Sequence, residues 1–241
     1  MSSHVTESKA VVVTGASAGI GRATAETLLE QGHRVALLDR NPTPIDEGER
    51  AQAFTVDVGE PDQITRVFER LGDWLGGPLD AVYHMAGIMA AQRSPIAEVD
   101  FETWQRVISV NLTGTFLVAK HAAPHLARPG GLLVLTSSQG GVLEPSGSLP
   151  YGASKAGIHG LVKTLERQLE PDGIRVVELV PGRVDTPLYR RSVAEAVAQT
   201  GDEAVGEQLL EGLTPPEAVG EIAAFLLTDA GRLLRNPVAT V

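Results

Sequence analysis

The sequence predicts an α/β chain built on one doubly wound parallel sheet, and three observations carry that prediction. Short β-branched runs alternate with longer helical stretches along the chain, which is the pattern of repeated βαβ units. The first run ends in a glycine-rich turn that opens a helix, the arrangement found where a parallel sheet binds a ligand at its carboxyl edge. The length of 241 residues suits one large domain better than two small ones, and is enough to bury a core without covalent staples.

Taken in order, residues 10–14 are a short apolar run ended by glycine, too short for a helix and read as the first strand. Residues 21–31 follow as a helix, with Ala23, Ala25, Leu28 and Leu29 on or near one face. Residues 35–38 and 53–56 are the second and third strands. The link between them holds Pro42, Pro44 and Gly48, so a loop is expected there instead of a crossover helix. Residues 79–84, 132–136 and 175–180 are the fourth, fifth and sixth strands. A long helix over 101–126 and another over 151–169 carry small and apolar residues on more than one side, which places them in the core or at subunit contacts. Residues 185–214 are polar and helical in propensity and read as a substrate lid, or else as an ordinary surface insertion. No repeat or low-complexity linker divides the chain, so residues 1–241 are expected to form a single domain.

Composition narrows the functional classes. Cysteine is absent, which excludes disulfides, thiolate metal sites and a cysteine nucleophile and fits a reducing cytoplasm. A formal net charge of −10 repels phosphate backbones, so no nucleic-acid partner is expected. Residues 1–9 are polar and lack the apolar centre of a secretory signal. No apolar run reaches bilayer-spanning length, so no membrane association is expected and the localisation reads as cytoplasmic.

The turn after the first strand runs Thr14-Gly15-Ala16-Ser17-Ala18-Gly19-Ile20-Gly21. Its three glycines let the backbone approach a pyrophosphate at a helix N-terminus. Asp39 ends the second strand about 20 residues further on, where a carboxylate accepts hydrogen bonds from ribose hydroxyls. The same carboxylate repels a 2′-phosphate, which favours NAD(H) over NADP(H). Arg40, next to it, is the competing signal. Asp57 and Val58 close the third strand at the carboxyl edge, where adenine would lie.

Tyr151 and Lys155 are four residues apart on a predicted helix and share a face. A free tyrosine has a pKa of about 10. A nearby ammonium stabilises the phenolate and brings it toward the range that carbonyl–alcohol interconversion needs. Ser137 and Ser138 follow the fifth strand at the ligand-binding edge. Asn111 lies among apolar residues of the long helix, where it would hold a water, brace Lys155 or simply bridge two helices.

The order Thr14-Gly15, Gly19, Gly21, Asn111, Ser138, Tyr151, Lys155 and Pro181-Gly182 resembles the short-chain dehydrogenase/reductase family, over roughly residues 10–229. The resemblance implies a Rossmann fold with Tyr151 as proton donor and acceptor. It implies that Lys155 lowers the Tyr151 pKa and holds the nicotinamide ribose. Ser138, thirteen residues before the tyrosine, positions the substrate oxygen, and Asn111 supports a proton relay. By the same resemblance Gly15, Ser17, Gly19, Ile20, Gly21, Asp39, Asp57, Val58, Ala86, Gly87, Tyr151, Lys155, Pro181, Gly182, Val184 and Thr186 hold the cofactor, NAD, and no metal is expected. The substrate class is a small-molecule secondary alcohol or ketone. Closer features resemble the dehydrogenases that form dihydroxybenzoate, implying a cyclic carboxylated diol with Arg190 near its carboxylate. Homo-oligomers, tetramer or dimer, are common in the family. Two departures qualify the picture. His84-Met85 stands where the family has two asparagines, and the chain ends at Val241, within what should be a last strand. An NADPH-dependent ketoreductase and a non-catalytic nucleotide-binding protein remain alternative readings.

Overall fold

A computed structural model describes residues 8–241; the polar segment read as free of a secretory signal lies, for residues 1–7, outside them. The sheet contains β1 (Ala10–Thr14), β2 (Arg34–Asp39), β3 (Ala51–Thr55), β4 (Ala81–His84), β5 (Leu132–Thr136), β6 (Arg175–Val180) and β7 (Val238–Ala239). Their spatial order is β3-β2-β1-β4-β5-β6-β7, and every pair is parallel. The chain winds outward from β1 to β3, then crosses back to β4 on the other side of β1. A crevice therefore opens above the carboxyl ends of β1 and β4, where ligands bind in such sheets.

The helices are α1 (Gly19–Glu30), α2 (Pro61–Leu75), α3 (Phe101–Ile108), α4 (Gly114–Ala122), α5 (Gln139–Val142), α6 (Leu149–Leu169), α7 (Pro187–Thr200), α8 (Glu203–Leu210) and α9 (Pro216–Phe225). Strand side chains alternate between two cores. Val12, Leu38, Val82 and Leu133 face α2, α4 and α6. Val11, Val13, Leu37 and Val134 face α1 and α9. Such continuous apolar strands are required when both faces of a sheet are covered.

The predicted strands are present, β1, β5 and β6 with the expected bounds and β2, β3 and β4 with shifted ends, and residues 41–50 form a loop as expected. The expected long helix over 101–126 is interrupted by a π-helical turn at Ser109–Thr113 and closes in a 3₁₀ turn at Ala123–His125. The last strand does form: Val238 and Ala239 pair with Leu179 and Val180 of β6. The helix α2 was not assigned from sequence, although its buried Ile64, Val67, Phe68, Leu71 and Leu75 follow helical spacing. Residues 185–214 form α7 and α8, held at their base where Val184 and Thr214 bridge. Among the described residues, no helix is long and apolar enough to cross a membrane, and no cluster of metal-ligating side chains occurs.

Candidate active site

The crevice holds two joined cavities. The first, about 260 Å³, is lined by Gly15, Ser17, Gly19, Ile20, Gly21, Asp39, Asp57, Val58, Ala86, Gly87 and Thr186. The second, about 500 Å³, is lined by Ser138, Tyr151, Lys155, Pro181, Gly182 and Val184. Ile20, Met85, Gly87, Thr186 and Leu188 border both. Of the expected catalytic and cofactor-holding residues, Asn111 alone borders neither cavity.

The first cavity fits the adenosine and pyrophosphate part of a dinucleotide. Ala18, the N-cap of α1, gives no side-chain cap, and the first turn contains no acid, so the positive helix end is left for an anion. Gly15 has φ +73°, and a Cβ there would stand 2.9 Å from the Ala86 nitrogen. A Cβ on Gly21 would lie 2.3 Å from the Gly15 carbonyl oxygen, so α1 can start this close to β1 only at a glycine. At the far end the Asp39 carboxylate accepts hydrogen bonds from the backbone N–H groups of Ser17, at 3.1 Å, and Asn41, at 2.8 Å. Arg40, the competing signal, reaches toward the Asp57 carboxylate at 3.8 Å.

In the second cavity α6 carries Tyr151 and Lys155. The Ser148 side chain caps this helix at the Tyr151 N–H, and its hydroxyl also donates to the Ala90 carbonyl at 2.6 Å, fixing α6 to the loop after β4. Lys155 Nζ lies 5.5 Å from the centroid of the Tyr151 ring and donates to the Thr136 carbonyl at 2.8 Å. Burial raises the Tyr151 pKa, and the Ser138 hydroxyl beside it works the other way. Burial lowers Lys155 to about 8. The expected lowering of Tyr151 by Lys155 is therefore not a property of the protein alone: both groups are driven toward their neutral forms.

That burial has a stability consequence. Below about pH 8 the folded protein carries a buried ammonium, which costs on the order of 3 kcal/mol by the size of the shift. Between pH 8 and 10.5 the unfolded lysine keeps a proton that the folded one has lost, so stability rises with pH. Lys155→Met is expected to raise the urea midpoint at pH 7, with the gain shrinking by pH 10. A variant less stable than wild type at both pH values would contradict this.

Asn111 lies in the π-helical turn and is fully buried. Its Oδ1 accepts from the Ile88 N–H at 2.8 Å, and its Nδ2 donates to the Ile88 carbonyl at 2.9 Å and to Ser154 Oγ at 3.0 Å. The amide thus braces the loop after β4, and Lys155 is held by Thr136 instead. Arg190 also differs from expectation. Its guanidinium makes a two-pronged pair with Asp185, at 2.5 and 2.7 Å, and borders neither cavity.

His84 takes a structural place at the end of β4. Thr14 Oγ1 accepts from the N–H groups of Met85 and Ala86, both at 3.1 Å, and lies 2.8 Å from His84 Nδ1. With its acceptor capacity so used, the hydroxyl donates to Nδ1, which places the imidazole proton on Nε2. Nε2 is buried without a partner among the described residues, and burial, assisted by Lys155, lowers the pKa to about 3. The unfolded histidine binds a proton from about pH 6.5 downward and the folded one does not, so stability falls with acid by about 1.4 kcal/mol per pH unit. From pH 7 to pH 5 the wild type is expected to lose about 2 kcal/mol more than His84→Asn in urea titrations; equal losses would exclude the effect.

Sequence reasoning gave no individual role to Thr14, Ile88 and Ser154, which orient the site from behind, or to Arg183 and Tyr189, which line the second cavity. Thr14 and Ser154 sit within the motifs themselves. Arg183 directly follows Pro181-Gly182, the one signal that pointed to it.

Comparison with known proteins agrees with this geometry. The family pattern described as short chain dehydrogenase matches residues 9–196. The chain is 35% identical to cis-4-hydroxycyclohexanecarboxylate dehydrogenase of Sinomonas cyclohexanicum, over 97% of this chain and 94% of that protein. It is 31% identical to (3R)-3-hydroxyacyl-CoA dehydrogenase of Canis lupus familiaris, over 90% and 88%. The ligand-free aldohexose dehydrogenase of Thermoplasma acidophilum superposes with a TM-score of 0.84 at 26% identity, over 97% of this chain and 92% of that one. With the cradle, the switch-point crevice and the match over most of its length, the chain belongs to the short-chain dehydrogenase family.

Proposed function

We propose that this oxidoreductase oxidises a secondary alcohol, or reduces the matching ketone, with NAD(H) as cofactor. A nicotinamide nucleotide, NAD or NADP, is the cofactor of the family; when bound, its ring takes up or gives the hydride. The observation that carries the reading is the placement of Ser138, Tyr151 and Lys155 on the wall of a cavity continuous with a dinucleotide cradle. In this proposal Ser138 holds the substrate oxygen by a hydrogen bond. The Tyr151 hydroxyl exchanges a proton with that oxygen. Lys155, anchored on Thr136, has two further N–H donors for the ribose and places positive charge beside the phenol. Asn111 supports the site through Ile88 and Ser154. Pro181, Gly182, Val184 and Thr186 border the nicotinamide end, and Asp57 and Val58 the adenine end.

Asp39 supports NAD over NADP: its carboxylate is fixed by two N–H groups, and Arg40 is turned to Asp57. The similarity to a dehydrogenase of a hydroxylated cyclohexane carboxylate supports a cyclic, carboxylated alcohol or diol as substrate. The segment over 185–214 serves as the lid. Homo-oligomer formation is part of the same proposal. Phe116 of α4 is half exposed, and α6 leaves the small residues Ala153, Ala156 and Gly160 open, surfaces suited to a symmetry mate.

The test is direct. Purified protein with NAD⁺ and cis-4-hydroxycyclohexanecarboxylate, or a panel of cyclic diols, is expected to form NADH, followed by its absorbance. Turnover with NADP⁺ alone would replace the cofactor assignment, and no turnover of any secondary alcohol would remove the enzymatic reading.

A further inference from the structure

The charged side chains of the substrate cavity have a balance opposite to that of the chain. The whole sequence has 30 acids against 20 lysines and arginines. The second cavity is bordered by Arg93, Lys155 and Arg183 and by one acid, Glu144. Among the described residues, neither Arg93 nor Arg183 has a carboxylate within 4.0 Å, whereas Arg190, the residue first expected to bind the anion, does. Two unneutralised guanidinium groups around one cavity of an acidic protein form a local positive field that draws in anions.

Arg183 is the better placed of the two. Its backbone is pinned where the Thr214 N–H donates to its carbonyl at 2.9 Å, at the base of the segment carrying α7 and α8. Its guanidinium reaches the Gln208 carbonyl of α8 at 3.4 Å and lies beside the Tyr189 phenol. That phenol donates to the Leu209 carbonyl at 3.2 Å. The guanidinium is thus steered toward the cavity by two elements and retains donors without a hydrogen-bond partner among the described residues, a fork suited to a carboxylate. Arg93 sits on a strained residue with φ +57°, and no hydrogen bond orients its side chain among the described residues.

We infer that the substrate carries a carboxylate, and that Arg183, steadied by Tyr189 and α8, binds it at the lid side of the cavity. This rests on the alcohol dehydrogenase reading above. It moves the anion-binding role from Arg190, which is spent on Asp185, to a residue that the sequence pattern had not marked. Because the same guanidinium touches α8, an anion bound there would also tie the lid to the sheet.

The probes are cyclohexanecarboxylate and its neutral isostere cyclohexanecarboxamide, titrated into the protein–NADH complex and followed by NADH fluorescence. The carboxylate is expected to bind at least about 10-fold more tightly than the amide, the size of one charge-assisted contact. Arg183→Gln should remove that preference while leaving NADH affinity unchanged. Arg183→Lys should keep part of it, Arg190→Gln should keep all of it, and Glu144→Gln should increase it. Equal affinity for the two probes, or a preference that survives Arg183→Gln, would overturn the inference while leaving the dehydrogenase reading in place. Failure of the protein to bind NADH at all would instead overturn that reading, and this inference with it.

Discussion

Replacing Tyr151 by phenylalanine is expected to reduce kcat by at least 10²–10⁴-fold, the range supplied by a positioned general acid or base, while NADH binds within about threefold of wild type. The substitution removes one oxygen from a side chain that is only 8% exposed. The ring still fills its place over α6, and the Ser138 hydroxyl loses one partner. Fold and cradle are untouched, because none of the groups lining the nucleotide cavity hydrogen-bonds to this phenol. Single-turnover measurements with NAD⁺ and a turned-over alcohol would check the loss in the chemical step, and a fluorescence titration would check the retained binding. A Tyr151→Phe enzyme that turns over at a tenth of the wild-type rate or better would take the proton-transfer role away from this residue. A matching loss of NADH affinity would mean that Tyr151 acts by holding the cavity open.

The second large effect is expected at Asp39. Its carboxylate is fixed by the N–H groups of Ser17 and Asn41 and borders the nucleotide cavity, where a 2′-phosphate would bring like charges together. Asp39→Ala is expected to narrow the kcat/KM preference for NAD over NADP by about 10–100-fold, equivalent to about 1.4–2.7 kcal/mol. NAD should lose affinity as the ribose loses its acceptor, and NADP should gain as the repulsion ends. The released space also lets Arg40 leave Asp57 and approach the added phosphate. An unchanged ratio would show that Asp39 shapes the turn after β2 without reading the ribose.

These two residues mark what the sequence made legible and what it did not. The placement of Asp39 and the three glycines around one cavity was readable because it is local: a strand end, a turn and a helix start within one stretch of chain. Tyr151 and Lys155 were readable as a pair because helical spacing places them on one face. The electrostatic state of that pair was not readable. It depends on how deeply α6 is buried against β5, and that burial drives both groups toward neutrality when a nearby ammonium alone would have favoured the phenolate.

Longer-range partners were hidden for the same reason. Asn111 was visible as a buried amide needing partners, but Ile88 and Ser154 are its partners only because the π-helical turn and the loop after β4 meet in space. Arg190 and Arg183 show the limit most clearly. Both precede or sit on a polar helix, and only the fold shows one closing on Asp185 while the other borders the cavity with no carboxylate beside it among the described residues. His84 broke an expected pattern, and its role follows from Thr14, 70 residues away in sequence, whose hydroxyl ties β1 to the start of the loop after β4.

The cofactor assignment is the central claim, and titration of the purified protein with NADH and separately with NADPH, followed by nicotinamide fluorescence, tests it most directly. Tight binding of NADH with binding of NADPH weaker by 10-fold or more, about 1.4 kcal/mol, is the predicted result. Preference for NADPH, or binding of neither, would contradict it.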